Sequence, residues 1–190
     1  MTTPRVTWPH RTERLLLRPY RETDGNRLVE IRNRPDVWRW LLRTRVDPVA
    51  FQAAWLRSVD DLHDHSCVVE FDGDVIGSGS LEVLDGMGQD RGPAGRADGL
   101  LGYILDPAFA GRGYATEIAA ELLSIAFDDL GLHRVTAGCF ADNTASWRVM
   151  EKVGMRREQH GVKDSWHTEL GWVDGYTYAV LRDEWDALSS

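Results

Sequence analysis

Apolar residues recur along this chain at spacings that switch between those of strands and those of helices. Leu15, Leu16 and Leu17 within Glu13–Arg18 predict a short strand that stops at Pro19. Asp24 is placed to cap a helix through Ile31, with Leu28 and Ile31 on one face. Asp47-Pro48 is a stronger start, an N-cap followed by proline at the first helical position. Phe51, Ala54, Trp55, Val59 and Leu62 then recur at three- and four-residue steps, an amphipathic helix. Cys67–Phe71 and Val75–Leu84 flank Asp72-Gly73, a hairpin signal. From Asp85 to Gly99 the apolar residues thin out among Gly86, Gly88, Gly92, Pro93, Gly95 and Gly99. That stretch predicts a mobile loop, longer than most connections and of a length often tied to function.

Beyond the loop the order is strand, helix, strand, helix, strand. Leu100–Leu105 reads as a buried strand ending at Asp106-Pro107. A helix follows from about Tyr114 to Leu130, with Ile118, Leu122, Ile125 and Ala126 inward and Gly131 just past its end. His133–Phe140 is the next strand, and Asn143 or Thr144 caps a helix through Lys152 that Gly154 stops. Trp172–Leu181 is the last strand. Helices alternating with strands around a mixed sheet give an α/β (α+β) sandwich.

Composition narrows what such a sandwich does. With 190 residues, residues 1–190 are expected to form a single domain. The chain carries 22 Lys and Arg against 30 Asp and Glu, a formal charge of −8, which disfavours a nucleic-acid backbone as partner. Cys67 and Cys139 are too few for a disulfide framework or a cysteine-rich metal site. His63 and His65 flank Asp64, but nothing nearby completes a ligand set, so this trio is expected to be a solvated helix end and no metal is expected. Cys139 lies in an apolar strand, as a structural thiol does. No apolar run spans a bilayer, and Met1–Tyr20 lacks the features of a signal peptide. The expectation is a cytoplasmic protein with no membrane partner, as a monomer or homodimer.

The chemistry concentrates in Phe109-Ala110-Gly111-Arg112-Gly113-Tyr114-Ala115-Thr116-Glu117, between a strand and a helix. A glycine loop there turns backbone N–H groups inward, and with the positive end of the helix dipole these hold a phosphate or pyrophosphate. Gly111 and Gly113 permit close approach, and Arg112 can add a cation. A Walker A loop would need Gly-Lys-Ser/Thr after its spacer, which is absent. A dinucleotide fingerprint would need a third small residue where Thr116 stands and an acid near Cys139 and Phe140.

This segment resembles the phosphate loop of the GNAT superfamily of acyl-CoA-dependent N-acetyltransferases, and more closely the ribosomal-protein N-terminal (Rim-type) acetyltransferases. Three further stretches agree: Thr12–Arg18, Asn143-x-x-Ser146 leading into Glu151–Met155, and Trp172-Val173-Asp174 leading into Tyr178. The resemblance implies a mixed, mostly antiparallel central sheet flanked by helices, with a V-shaped splay between the fourth and fifth strands. It implies acetyl-CoA as co-substrate, its pantetheine arm paired with Tyr103, Ile104 and Leu105, whose N–H groups also hold the thioester oxygen. Its pyrophosphate would rest on Gly111, Arg112, Gly113, Tyr114, Ala115 and Thr116, with Asn143 and Ser146 also in contact. The resemblance implies Ser146 as proton donor to the leaving thiolate; Glu82, on the strand leading into the glycine-rich loop, is the candidate base for the amine, and Tyr103 is a further catalytic candidate for which core packing is the competing role. Trp38 and Trp40, in the segment that walls the acceptor site in this family, would bind substrate. Two positions depart from the pattern: Ala110 replaces Gln or Arg, and Leu100 stands where many members carry an acid.

The function so implied is direct transfer of acetyl to a primary amine in a ternary complex, a protein N-terminal α-amino group first. The alternatives are a small amine, such as an aminoglycoside or polyamine, or a non-catalytic acyl-CoA sensor, for which the missing acid at Leu100 is the support. An acidic chain suits a cationic acceptor.

Overall fold

The structure, a computed structural model, describes residues 5–91 and 93–188. Gly92, one of the glycines of the 85–99 loop, lies outside the described residues. The strands are β1 (His10–Arg11), β2 (Leu16–Arg18), β3 (Cys67–Phe71), β4 (Asp74–Leu84), β5 (Asp98–Leu105), β6 (Arg134–Phe140), β7 (Arg156–His167) and β8 (Gly171–Leu181). The helices are α1 (Gly25–Arg32), α2 (Pro35–Trp38), α3 (Pro48–Ser58), α4 (Tyr114–Ser124), α5 (Thr144–Lys152) and α6 (Arg182–Leu188). All the strands join one sheet in the order β1-β2-β3-β4-β5-β6-β8-β7. Pairing is antiparallel except between β5 and β6.

Local chemistry sets the joints. Asp72 and Gly73 take φ of 51° and 86°, the left-handed pair that a two-residue hairpin between β3 and β4 requires. Asp47 caps α3, its carboxylate accepting from the Ala50 N–H at 2.8 Å. Asp24 departs from its expected role. It closes a short 3-10 turn, Glu22–Asp24, and its carboxylate turns inward to Arg18 and to the Arg21 N–H, so the helix begins at Gly25.

The core lies between the sheet and α4. Ile118, Leu122 and Leu123, with Ile125, Ala126 and Phe127 in the π-turn that extends the helix (Ile125–Asp129), are wholly buried against Leu17, Ile76, Leu81 and Val135. Each of the larger side chains among these contributes roughly 1.5–3 kcal/mol on burial. The Leu130 N–H donates to the Ile125 carbonyl five residues back, and Gly131, at φ +67°, then turns the chain into β6. α3 is amphipathic in its packing but buries no residue completely; Ala54 and Val59 are exposed, and Val59 and Leu62 lie past its end. The loop after β4 is shorter than the sequence suggests. Asp98 and Gly99 already pair within β5, and the loop base is tied by Gly86 N–H to Ala94 O and Arg96 N–H to the Asp85 carboxylate. Among the described residues no helix is long and apolar enough to cross a membrane.

Candidate active site

β5 and β6 run side by side only over Asp98–Leu100 and Arg134–Thr136. Beyond that they part: Leu101–Leu105 pair with β4 alone, and Ala137–Phe140 pair with β8 alone. The edge of β5 facing the gap therefore presents main-chain donors and acceptors that an extended ligand can join as an added strand. This is the splay the resemblance implies, between the fourth and fifth strands when the two-residue β1 is left out of the count.

A cleft of about 500 Å³ opens on one side of the gap. Tyr103, Ile104 and Leu105 line it from β5, Gly111 and Gly113–Thr116 from the glycine loop and the first turn of α4, and Asn143, Ser146, Arg148 and Lys152 from α5 and its cap. Gly111 and Gly113 have φ of +75° and +84°, a backbone that side chains rarely adopt, and no atom lies within 4 Å of a Cβ built on Gly111. The α4 ladder begins with the Glu117 N–H donating to the Gly113 carbonyl at 3.1 Å. The N–H groups of Tyr114, Ala115 and Thr116 precede that ladder, at the positive end of the helix.

The loop is braced from behind. Glu117 receives Arg14 and Thr12, which fixes the first turn of α4 to the start of β2, and the Arg112 carbonyl accepts from Arg14 at 2.9 Å. Two expected contacts change here. The Arg112 guanidinium is exposed, lies over the Phe109 ring at 5.7 Å, and is not part of the cleft wall. The Tyr114 ring is buried against Phe71, so Tyr114 offers the cleft its main chain. Asp106, at the end of β5, is buried, caps the turn before the loop through Ala108 N–H and pairs with Arg27 and Arg34.

Ser146 lines the donor-side cleft from the first turn of α5. The Tyr103 hydroxyl donates to the Ser146 carbonyl at 2.8 Å and lies 3.3 Å from Ser146 Oγ. Burial pushes the Tyr103 hydroxyl up to about 12, with the Ser146 hydrogen bond opposing it. Burial likewise raises the Cys139 thiol to about 11, again against a hydrogen bond from Ser146, so this thiol stays protonated, as a structural cysteine does. Asn143 caps α5, accepting from the Ser146 N–H at 3.3 Å, while also facing the cleft.

A second cleft, of about 540 Å³, lies across the gap. Glu82 and Leu100, both exposed, are cross-strand partners in its wall. A carboxylate on the neighbouring strand thus stands one strand spacing from the position where the family pattern places an acid. Asp64 and Asp164 also line it, and no Lys, Arg or His does among the described residues. Asp64 was legible only as part of a solvated helix end. It instead forms an isolated bridge to Glu82, and the adjoining His65 is buried with its N–H bonded to the Leu81 carbonyl.

The two tryptophans separate. Trp40 lines both clefts and is held by His167, whose Nε2 donates to the Arg39 carbonyl and whose ring lies 5.5 Å from the indole. Trp38 lines neither, because its indole turns inward with a buried N–H. Arg148 and Lys152 were missed, although their spacing from Ala145 and Val149 already places all four on one face of a helix capped at Asn143. Asp164 could not be read, since it depends on an irregularity in a strand with no apolar period.

The family described as Acetyltransferase (GNAT) domain matches residues 14–156. The uncharacterized N-acetyltransferase p20 of Bacillus licheniformis is 26% identical over 92% of this chain and 96% of its own length. The match to the uncharacterized N-acetyltransferase YnaD of Bacillus subtilis (strain 168) is 40% identical over 45% of this chain, and spans half of that protein. A solved acetyltransferase (GNAT family) from Bacillus anthracis superimposes with a TM-score of 0.77 at 26% identity, over 93% of this chain and 99% of that one. Two more distant structures share the fold. One is RimL, a ribosomal L7/L12 alpha-N-protein acetyltransferase in complex with coenzyme A (TM-score 0.77, 16% identity, 91% and 97% coverage). The other is spermidine N-acetyltransferase from Vibrio cholerae with CoA and spermine (0.79, 18%, 92% and 99%).

Proposed function

This chain belongs to the GNAT acetyltransferase family, and we propose that it moves the acetyl group of acetyl-CoA to a primary amine, a protein N-terminal α-amino group first, in a ternary complex. The observation that carries this reading is the meeting of two clefts at one gap, a donor cleft ending at Ser146 and an acidic cleft holding Glu82.

The residues present suit the donor. Free main-chain groups along Tyr103–Leu105 match the amides of a pantetheine arm, and the N–H groups of Gly111–Thr116 suit a diphosphate. Arg148 and Lys152 add positive charge to the same wall for the phosphates. Toward the acceptor, Glu82 draws the proton from the ammonium through a water; an α-amino group, with a pKa of about 7.7–8.0, yields it readily near neutral pH. As the amine adds to the thioester carbonyl, main-chain N–H groups of β5 hold the oxygen that gains charge. The Ser146 hydroxyl then gives its proton to the departing thiolate, and Tyr103 keeps that hydroxyl in place.

A small polyamine is the second reading, favoured by the three carboxylates that line the acceptor cleft. The sensor reading loses its support, since Glu82 stands beside Leu100 and faces the same cleft. The test is incubation with labelled acetyl-CoA and a panel of N-terminal peptides and small amines. Label on peptides supports the first acceptor and label on polyamines alone the second, while coenzyme A binding without transfer to any amine refutes the reading.

A further inference from the structure

The strand β7 is interrupted on its way past the acceptor cleft. Its register on β8 slips between Gly161 and Ser165, with Lys163 at φ +49°. Residues in such an irregularity leave the ladder and re-aim their side chains. Here Asp164 is the residue re-aimed. Gly161 and Gly175 are cross-strand partners, and the Asp164 carboxylate occupies the space that a side chain at either position would fill. A Cβ on Gly175 would lie 2.5 Å from Ser165 Oγ and 2.7 Å from Asp164 Oδ1, and one on Gly161 would overlap the same carboxylate. The Ser165 hydroxyl donates to Asp164 Oδ1 at 2.8 Å and holds the group over the two glycines. Asp164, Ser165 and Gly175 all line the acceptor cleft.

The carboxylate is also near the reacting centre. Gly175 pairs with Phe140, and the adjoining Tyr176 pairs with Cys139, the residue in contact with Ser146. Seated over Gly175, the Asp164 carboxylate stands about one strand spacing, roughly 4.8 Å, from β6, the strand that forms one wall of the gap. No basic side chain lines the cleft among the described residues, so nothing in its wall neutralises this charge.

We infer that Asp164 is a specificity-determining residue that reads a second positive charge on the acceptor, an ammonium or guanidinium a short linker away from the amine to be acetylated. This rests on the reading that the cleft receives an amine. The shared chemistry is a dication, and its two sources, a free diamine or a basic side chain beside a protein N-terminus, are separated by the acceptors used in the test.

The protein saturated with coenzyme A is titrated with 1,4-diaminobutane and with butylamine, and with two short peptides that differ by Lys or Gln at the second position. The inference expects the member of one pair that carries the second positive charge to bind about fivefold tighter, as an exposed ion pair allows. Asp164→Asn should bring that ratio to about one. Gly175→Ala, which keeps the aspartate but fills its seat, should do the same. A preference within the diamine pair points to a free polyamine, and one within the peptide pair to a protein terminus. No preference in the wild-type protein, or a preference that survives both substitutions, overturns the inference. Because binding is read without turnover, absence of acetyl transfer beside a charge-dependent affinity would instead refute the acetyltransferase reading and leave this one standing.

Discussion

In the proposed reaction Ser146 carries the proton transfer, and its hydroxyl lies beside the Tyr103 hydroxyl and the Cys139 thiol. Ser146→Ala should lower kcat by about 10²-fold, the range for loss of one proton-transfer group, while the Kd for coenzyme A stays within about twofold. Calorimetry and steady-state kinetics check the two halves separately, and an equal loss in both would make Ser146 a binding residue only. The buried phenols carry a pH signature of their own. Tyr103 and Tyr178 are both raised from 10.0 to about 12, in each case first by burial. Their neutral forms are favoured in the fold, so this stability is whole below pH 10 and drains away as the pH climbs to about 12, when the unfolded chain ionises and the native one resists. Thermal melts should fall steeply across that window, and Tyr103→Phe should flatten part of the fall.

At the level of strands and helices, the glycine loop works by its left-handed turns. Gly113→Val should weaken coenzyme A binding by at least about tenfold, since a branched side chain at φ +84° costs roughly 1–2 kcal/mol and rebuilds the turn. The chain should still fold, because a Cβ there meets only the end of the Arg14 side chain, at the contact distance of 3.4 Å. The α1 entry depends instead on a buried network. Arg18 pairs with Asp24 and Glu70 beneath the surface. Burial works to raise the Asp24 carboxyl, but the Arg18 hydrogen bonds and the Arg21 N–H hold it below its ordinary value. Asp24→Asn should destabilise by about 3 kcal/mol, the low end for breaking a buried pair, because Glu70 still answers Arg18. Denaturant unfolding measures it. That network also shows where sequence reading stops. The short-range signals Asp47-Pro48, Asp72-Gly73 and Asn143 with Gly154 were legible because a cap or turn is written in adjacent residues. Asp24 looked like another cap, yet its partner is Glu70's neighbour in space, Arg18, and no local pattern records that. β1 is too short to show a period, and β7 is an edge strand whose residues are mostly exposed, so neither carries an apolar alternation.

Across the molecule, the sheet order places the candidate site, because the parallel step between β5 and β6 opens a gap with a cleft on each side. The cleft proposed for the donor was legible in the sequence, since most of its wall comes from one contiguous loop and the strand before it. The acceptor half was not. The cleft proposed for it gathers Asp64, Glu82 and Asp164 from three distant segments, and of these only Glu82 carries a chemical signal in the sequence. The charge on Arg148 and Lys152 should appear in the salt dependence of donor binding. Replacing both by Ala should raise the Kd for coenzyme A and flatten its dependence on ionic strength. A crystal structure of the protein soaked with coenzyme A would show where the donor lies. The diphosphate should rest on the N–H groups of Gly111–Thr116, the pantetheine arm should pair with Tyr103–Leu105, and the thiol should reach Ser146. A coenzyme A bound away from the gap between β5 and β6 would contradict the account.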